Sequence, residues 1–540
     1  MTRVLAFMGG TPKAKAVTAI LVTIVFLLIG TGITIYRSFA AIPEMFRLNS
    51  QLRAEGYYMG EFEFKMVGII YYLDKGDYVT ALSRLTQLHN QLKSREGLVK
   101  IPQFADKKEE LSFYLNLQNP RTGAFMDDSY PLCTYVGSTL NVINHLEALA
   151  KETGQPLHLE YPLWFLDQIN TGEKLKAYLD DLATVGWIAS KLPKTHNILA
   201  FEILYYRDIE RVHLYTFSPE WKHALLQWFY ENQDRETGCW GPRLRSNGQL
   251  LNSGDDSTYH VARWFLDDQG NDRYPEFPFR YKDALFATTL RQLSTPLPTD
   301  LATQHAWVLT QDRGIKVLAN LLWPSASPEN KSSARKLMEE HVRAKFEKYY
   351  VQSQGAFSLY PGSTQADLDG TGLDLSLLQT VGALSREKQE RLWGPPDKNI
   401  KNLGTHKVSK LKESDFTAII DSPEVNSLRF YRSDPTHSDL LSNVVCVTYP
   451  KETPILDVVD LLPKLTHWVN TTPQNMGNWV SKESLIQDLS PMKVEPVPVF
   501  KGLIPLDVAN EALQSHRELV VVGYDILQIP RYKIVFKLES

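Results

Sequence analysis

Cysteine is scarce in this chain, since its 540 residues include only Cys133, Cys239 and Cys446. Their wide spacing fits neither a Cys-x-x-Cys redox site nor a zinc site built from closely spaced cysteines. Three cysteines form at most one disulfide within the chain and leave one thiol unpaired. The sequence also lacks the His-Glu-x-x-His motif, the phosphate-binding Walker loop and the Gly-x-Ser-x-Gly elbow. We therefore predict no metal site and no cofactor.

An excess of basic residues is missing as well. Lysine and arginine total 58 against 62 aspartates and glutamates, which gives a net charge of −4 at pH 7. Proteins that bind nucleic acid usually carry a basic surface, so we expect no nucleic-acid partner. The hydrophobic share of 43% is ordinary for a globular protein with a sizeable core. The length suits two or three domains, or one large ring with an appendage.

Charge is absent altogether from residues 16–36, which are mostly apolar. A helix of about 20 such residues spans the roughly 30 Å hydrocarbon core of a bilayer. Three basic residues precede this run: Arg3, Lys13 and Lys15. The positive-inside rule therefore predicts that residues 1–15 lie in the cytoplasm. We expect a single-pass anchor in the lipid bilayer, with the rest of the chain periplasmic or extracellular. A cleaved signal peptide is the alternative, although its apolar stretch is usually shorter.

A short phrase occurs twice in full and a third time in part. Residues Gln118–Phe125 and Gln233–Trp240 both read Gln, four residues, Gly, any residue, aromatic, whereas Gly355–Phe357 keeps only the glycine and the aromatic residue. The glycines of successive copies are 115 (238 − 123) and 117 (355 − 238) residues apart, a spacing that indicates a repeated unit. Each copy follows an aromatic helix end and precedes an apolar-periodic run. This order predicts a helix, a left-handed glycine cap that closes it, a polar loop and a second helix.

The phrase resembles the Gln-rich, Gly-x-Trp repeat of terpene cyclases, whose α/α-toroid fold is shared by protein prenyltransferase β subunits. Many polysaccharide lyases and some glycosidases are also rings of paired helices. The resemblance covers roughly residues 105–390. It implies a mainly α fold, with an α/α toroid over residues 106–395 and a helical stem or first toroid helices over residues 37–105. An ordinary helical protein with chance Gly-x-aromatic turns is the alternative.

The pattern changes after Gly394–Pro396, the proline-rich break that we take as the domain boundary. Short runs of Val, Ile, Phe and Tyr follow, which predict strands around one helix. Residues 396–540 are therefore expected to form a smaller α+β or β-rich appendage. The predicted strands are Ser427–Tyr431, Asn443–Thr448, Val494–Phe500, Leu519–Tyr524 and Tyr532–Leu538, and the helix is Ile455–Val469.

The richest candidate site follows the second copy of the phrase. Asp256, His260 and Arg263 fall at helical spacing and would share one face, with Asp255 and Tyr259 as an adjacent pair. A carboxylate beside an imidazole orients it and keeps it basic enough to accept a proton, and an arginine neutralises a substrate carboxylate. We predict these five residues as catalytic. The structural alternative is a helix cap at an aspartate, a stacked histidine and an arginine in a surface ion pair.

Acids and aromatic residues elsewhere are weaker candidates. We predict Asp369 as catalytic and a further set as substrate-binding, although acids also favour the first turn of any helix and aromatic residues are usually core. For Asp127, Asp128 and Asp374 helix capping is the favoured interpretation. The predicted substrate-binding residues are Asp127, Asp128, Asp367, Trp240 and Trp264.

Three classes of function are open at this stage. The acid/base residues and the expected location favour a polysaccharide lyase or glycoside hydrolase that acts on a glycan. A non-catalytic binding or assembly protein of the envelope is the second class. A terpene cyclase or prenyltransferase relative is the third, but Asp255-Asp256 matches only the end of the cyclase motif Asp-x-Asp-Asp. Cys239, Asp255 and His260 likewise lack the spacing of the prenyltransferase zinc ligands.

Overall fold

The computed structural model describes residues 40–187, 203–251, 255–351, 354, 356–383, 385–395, 400–431, 447–448 and 506–540. The predicted membrane anchor, residues 16–36, lies outside the described residues. Among the described residues, no helix is both long enough and apolar enough to cross a membrane. The chain divides into two compact units: unit 1 comprises residues 1–224 and 242–251, and unit 2 comprises residues 225–241 and 252–540.

Unit 1 is helical, as predicted for its first part. Gly76, in the left-handed conformation, ends one helix, and the Asp77 carboxylate accepts the Thr80 N–H to begin the next. Two short parallel strands, β1 Thr184–Val185 and β2 Arg243–Leu244, accompany the helices. The helices are α1 Ile42–Ala54, α2 Phe62–Lys75, α3 Tyr78–Ser94, α4 Lys107–Leu115, α5 Tyr135–Thr153, α6 Gly172–Ala183, α7 Tyr206–Arg211 and α8 Pro219–Glu231. The division between the two units falls within α8, after residue 224.

Unit 2 arranges its helices in two layers. Its helices are α9 Asp255–Phe265, α10 Lys282–Leu293, α11 Leu301–Lys316, α12 Pro328–Lys348, α13 Leu368–Thr380 and α14 Arg386–Trp393. Helices α9, α11 and α13 lie side by side with α11 in the middle. Helix α10 packs on α11, α12 packs on α13, and α10 and α12 also contact each other. The described chain is therefore mainly helical, as predicted, and a π-helical turn, Val317–Leu322, continues α11.

The repeat glycines adopt the predicted left-handed backbone, with φ +73° at Gly123 and +72° at Gly238. They do not cap the preceding helices, however, because α4 ends at Leu115 and α8 ends at Glu231. Each glycine instead closes a tight turn farther along, in which the Gly123 N–H donates to the Asn119 carbonyl at 2.8 Å. The predicted cap is wrong in this respect. The glycine lies several residues beyond the helix end because its carbonyl group accepts a hydrogen bond from the glutamine that begins the phrase.

The glutamine holds this turn together. Nε2 of Gln118 donates to the Gly123 carbonyl at 2.8 Å, and Nε2 of Gln233 donates to the Gly238 carbonyl at 2.9 Å. Both glutamines are buried. A side chain at Gly123 would overlap the Pro162 carbonyl, so glycine is required there for space as well as for its backbone conformation.

A threonine in the following helix completes each copy of the repeat. Its hydroxyl oxygen accepts the backbone N–H of the aromatic residue at 3.1–3.2 Å, and all three threonines are fully buried. The third copy, in which strands β3 Tyr350–Val351 and β4 Ala356–Phe357 pair, keeps this bond. The repeat is therefore a shared three-dimensional unit. The pairs are Thr139 with Phe125, Thr258 with Trp240, and Thr371 with Phe357.

The C-terminal part of unit 2 is a mixed sheet, in agreement with the predicted α+β composition. Its order is β5-β9-β8-β6-β7, in which β5 runs parallel to β9 and the other neighbours are antiparallel. Observed strands overlap four of the five predicted ones; Val494–Phe500 and the predicted helix Ile455–Val469 lie outside the described residues. The elements are β5 Lys401–Val408, α15 Thr417–Ile420, β6 Ser427–Tyr431, β7 Val447–Thr448, α16 Leu506–His516, β8 Glu518–Tyr524 and β9 Pro530–Leu538.

Candidate functional site

Five of the six predicted catalytic residues lie on helix α9. Asp255 and Asp256 form its first turn, where acids are stabilised by the helix dipole. Their side chains lie outside the described part of the chain, and so does the predicted contact between Asp256 and His260. The helix itself is as expected, because the apolar residues Val261, Ala262 and Phe265 are buried on one side and leave the remaining face for polar groups.

Three of the predicted residues form a group on that face. The rings of Tyr259 and His260 meet edge to face, with centroids 5.6 Å apart. The Arg263 guanidinium lies 5.8 Å from the centre of the Tyr259 ring, in a cation–π contact. Tyr259 and His260 are half-buried, whereas Arg263 is exposed. The structure thus places Arg263 against Tyr259, four residues before it.

The surroundings keep His260 uncharged at neutral pH. Burial lowers the pKa of His260 to about 4, and the positive charges of Arg263 and Lys316 act in the same direction. Burial raises the pKa of Tyr259, against the opposing effect of Arg263. At pH 7 the site therefore presents a neutral imidazole, a protonated phenol and a guanidinium. Lys316 belongs to α11, so this helix also contributes to the electrostatics of the site.

A second polar cluster, which the sequence reasoning missed, is buried where α11, α12 and α13 meet. The Asp312 carboxylate and the Lys316 ammonium are 2.6 Å apart within α11. Lys345 of α12 and Asp374 of α13 are 2.7 Å apart. The sequence had favoured a helix cap at Asp374, and this interpretation is wrong. Asp374 lies within α13 and pairs with Lys345 of the neighbouring helix α12. One signal was readable: Lys345 continues the buried face that Met338 and Val342 define on α12.

The groups of this buried cluster have strongly shifted proton affinities. Burial raises the pKa of Asp374 to about 6, although Lys345 opposes the shift. Burial also raises the pKa of Asp312, against Lys316 and Lys345. Burial lowers the pKa of His341 on α12 to about 3, and Lys345 adds to this. Within the described chain, one oxygen each of Asp312 and Asp374 and Nε2 of His341 have no hydrogen-bond partner.

The other candidates of unit 2 occupy different settings. Asp367 caps α13 by accepting the Gly370 N–H at 2.6 Å, and its other carboxylate oxygen accepts the Leu359 N–H at 2.7 Å. Asp369 is exposed in the first turn of α13. Trp240 is buried, stacks on Phe265 at 6.0 Å, and fits the alternative of a core aromatic residue better than a substrate contact. Trp264 is half-buried on α9.

The candidates of unit 1 make local ion pairs. Asp128 lies 2.9 Å from Arg121. Although burial opposes the shift, hydrogen bonds from Ser129 and the charges of Lys65 and Arg84 hold the pKa of Asp127 below its usual value. Both aspartates are half-buried and are engaged with cations on their own unit.

Metal-ligating groups do not gather in the described part of the chain. Within it, no set of three or more His, Cys, Asp or Glu side chains has a geometry that would hold a metal ion. Cys133 and Cys239 are buried and take part in no disulfide among the described residues. Comparison with protein-family models, with curated proteins and with solved structures finds no match for this chain.

Proposed function

We propose that this protein is a polysaccharide lyase that acts on a uronate-containing glycan, with His260 as the base. The observation that carries the proposal is the group of a neutral imidazole, a protonated phenol and a guanidinium on one face of α9. A lyase removes the proton on the carbon next to a uronate carboxylate. The glycosidic C–O bond at the neighbouring carbon then breaks, a C=C bond forms, and the leaving oxygen takes up a proton.

Each group has a role in that step. The His260 imidazole accepts the carbon-bound proton, since it is unprotonated at neutral pH. Arg263 binds the uronate carboxylate and stabilises the negative charge that develops when the proton leaves. Tyr259 keeps its proton, because burial raises its pKa, and donates it to the leaving oxygen. Protons and electrons balance without a cofactor.

Elimination is favoured over hydrolysis by the available carboxylates. Glycoside hydrolysis needs two carboxyl groups facing one glycosidic bond, about 5–10 Å apart. Asp367 is engaged in capping α13, and Asp374 is buried against Lys345. The described side chains that act on His260 are a phenol and the cations Arg263 and Lys316, which suit proton abstraction beside a carboxylate. Asp312, a carboxylate that acts on Tyr259, is itself paired with Lys316.

The scaffold we propose for this site is an α/α toroid over residues 106–395. Two observations support it: the repeated turn with its glutamine, glycine and threonine, and the two helix layers of unit 2. Helices α9, α11 and α13 alternate with the returning helices α10 and α12 along the chain. In a toroid such alternate helices run in the same direction, which would bring Asp255, Asp256 and Asp369 to one end as the rim of a substrate cleft.

The proposal includes a location outside the cytoplasm, where structural polysaccharides occur. The uncharged run of residues 16–36 supports a membrane anchor that holds the enzyme near such a substrate.

A non-catalytic glycan-binding protein is the second candidate, and one observation favours it. A base with a pKa of about 4 accepts protons from carbon slowly, because general-base efficiency falls as the pKa drops below the working pH. A binding site would use Arg263 only to hold an anionic sugar.

The test is a turnover assay with polygalacturonate, alginate and hyaluronate. Ultraviolet absorbance and mass spectrometry would report unsaturated chain ends. His260→Ala should lower the rate about 10²–10⁴-fold, the usual contribution of a general base. The matched control is His406→Ala, because His406 is an exposed histidine of the same unit. Saturable binding without unsaturated product from any substrate would reject the lyase in favour of the binding protein.

A further inference from the structure

Unit 1 presents an exposed tryptophan on an ordered loop. Trp164 is 44% exposed at the start of the 3₁₀ helix Trp164–Gln168. Among the described tryptophans, Trp187 is also exposed, at 69%, and the others are buried or half-buried. Its indole lies 6.1 Å from the ring of Tyr161, which is also partly exposed. A single exposed aromatic residue is common, so the surroundings decide whether this one has a role.

The backbone around Trp164 is fixed by hydrogen bonds. Gln118 of the first repeat copy accepts the Tyr161 N–H at 3.0 Å and donates to the Tyr161 carbonyl at 2.6 Å. The Phe165 N–H donates to the Thr122 carbonyl at 2.9 Å. On the other side, the Trp221 indole N–H donates to the Ile169 carbonyl at 2.7 Å. The backbone that carries the exposed ring is thus held in place before any ligand arrives, which lowers the entropic cost of binding.

A row of polar side chains continues from this ring. Side chains at i and i+3 of a 3₁₀ helix lie above one another, so Asp167 lies next to Trp164. The Asp167 carboxylate accepts from the Tyr215 hydroxyl at 3.3 Å and from the Asn170 amide at 3.4 Å. The Lys174 ammonium donates to the Asn170 side-chain oxygen at 3.1 Å. Asp167 and Lys174 are exposed, and their charges balance.

We propose that Trp164, Tyr161 and the polar row of Asp167, Asn170, Lys174 and Tyr215 bind a polysaccharide chain. A pyranose ring presents flat C–H faces and a rim of hydroxyl groups. The indole offers a rigid face for stacking, and the row offers a carboxylate, an amide, a phenol and an ammonium for the hydroxyls. The choice of a glycan as ligand rests on the proposed function. The balanced charge predicts little discrimination between neutral and anionic sugars.

A protein partner suits this surface less well. The centre of a protein–protein interface is depleted of charged residues. Here the charged Asp167 lies next to the exposed ring, and Lys174 follows in the same polar row through its bond to Asn170. The hydrogen bonds that the Asp167 carboxylate accepts from side chains are long, at 3.3 and 3.4 Å, and such a group readily exchanges partners for sugar hydroxyls.

The experiment is affinity electrophoresis of the full chain in gels that contain xylan, glucomannan or polygalacturonate. Wild-type protein should be retarded by at least one of them, and Trp164→Ala should weaken the retardation about tenfold or more. Trp164→Phe, which keeps an aromatic face, should retain part of it. The matched control is Phe46→Ala, because Phe46 is 48% exposed in the same unit without the polar row. Absence of retardation for wild type, or equal retardation of the Trp164→Ala variant, would overturn the proposal.

The outcome is separable from that of the proposed lyase. His260→Ala should abolish cleavage and leave retardation unchanged. Trp164→Ala should leave the cleavage rate of a short soluble uronate oligosaccharide unchanged, since that substrate does not need a second contact. Trp164-dependent retardation without any cleavage would keep this inference and reject the lyase. Should Trp164→Ala fail to fold, as judged by circular dichroism, Asp167→Ala takes its place with the same expected loss.

Discussion

Lys345 and Asp374 form an ion pair of 2.7 Å in which the side chains are 3% and 2% exposed. The pair joins α12 to α13 in the interior of unit 2. Removing two charges from water costs several kcal/mol, which their attraction offsets only when both partners are present. The pair therefore makes unit 2 sensitive to the loss of either residue, while its net contribution to stability is small.

We expect Lys345→Met or Asp374→Leu alone to lower the free energy of unfolding by about 3–5 kcal/mol, because each leaves a buried charge without its partner. The double variant should recover most of the loss, since neither charge then remains. The control is Glu339→Gln on the same helix, whose pair with Arg343 at 3.6 Å is exposed and is worth at most about 1 kcal/mol. Urea unfolding followed by circular dichroism measures all four proteins. A double variant as unstable as the worse single one would contradict this account.

The pH dependence of stability should carry the signature of His341. The pKa of His341 falls from 6.5 in the unfolded chain to about 3 in the folded protein. Its contribution to the free energy of unfolding is therefore present above pH 6.5 and is lost as the pH falls toward 3. Asp374 acts in the opposite sense. Its pKa rises from 3.8 to about 6, so its contribution is present below pH 3.8 and is lost as the pH rises through 6.

In His341→Gln, the slope of the unfolding free energy against pH between pH 4 and 6 should therefore be smaller than in the wild type. The difference should be up to about 1.4 kcal/mol per pH unit, which is the effect of one bound proton. Urea titrations at intervals of half a pH unit would show it. His406→Gln, on an exposed residue, should leave the slope unchanged. An unchanged slope in His341→Gln would mean that this imidazole is not neutral in the folded protein.

Two glycines share a left-handed backbone conformation but differ in their surroundings. Replacing each by alanine distinguishes the cost of backbone strain from the cost of a steric clash. Gly76 and Gly123 have φ of +82° and +73°, but only a side chain at Gly123 would meet another atom, the Pro162 carbonyl. We expect Gly76→Ala to cost about 1 kcal/mol through the backbone alone, and Gly123→Ala to cost at least about 2 kcal/mol more through the clash. Thermal unfolding compares them. Equal losses would indicate that the loop at Pro162 moves aside without cost.

The repeat shows what the sequence reveals and what it hides. The Gln-x₄-Gly-x-aromatic phrase was readable because Gln118 and Gly123 are neighbours along the chain, and their bond is local. The threonine that completes each copy was missed, because Thr371 bonds to Phe357 only after the chain has folded back on itself. The spacing of apolar residues predicted where the helices lie. It did not predict that the glycine closes a turn beyond the helix end, because that turn depends on a hydrogen bond from the glutamine side chain.

The candidate site divides in the same way. Tyr259, His260 and Arg263 were predicted together because one helix carries them at adjacent turns. The contribution of Lys316 was missed, since it comes from α11 and depends on how α9 and α11 pack. Asp374 looked like a helix cap in the sequence, because nothing in its neighbourhood along the chain indicates Lys345.

Membrane anchoring by residues 16–36 stays a prediction from the sequence. The protein should remain in the membrane fraction after washes with high salt and with carbonate, because roughly 20 uncharged apolar residues insert stably. Deletion of residues 1–36 should release it into the soluble fraction. A soluble mature form that begins near Ala41 would show that the segment is a cleaved signal peptide.

The electrostatic link between Arg263 and His260 gives the sharpest test of the site. Burial is the main cause of the lowered pKa of His260, and the Arg263 cation lowers it further, so removing the charge of Arg263 should raise that pKa. In the lyase, the acid limb of the kcat/KM profile reports the pKa of the base in the free enzyme. Arg263→Gln should therefore move this limb to higher pH. It should also lower kcat/KM about 10–100-fold on uronate substrates, because a charged hydrogen bond is worth about 1.5–3 kcal/mol.

Arg263→Lys is the matched control, since it keeps the charge and loses only the bidentate geometry. Its acid limb should stay at the wild-type pH even where kcat/KM falls. A proton titration of the His260 ring followed by NMR gives the same shift without any substrate, which separates the electrostatic claim from the proposed activity. If the limb and the ring titration of Arg263→Gln both stay at the wild-type pH, Arg263 does not act on His260, and the group on α9 is not a coupled acid/base site.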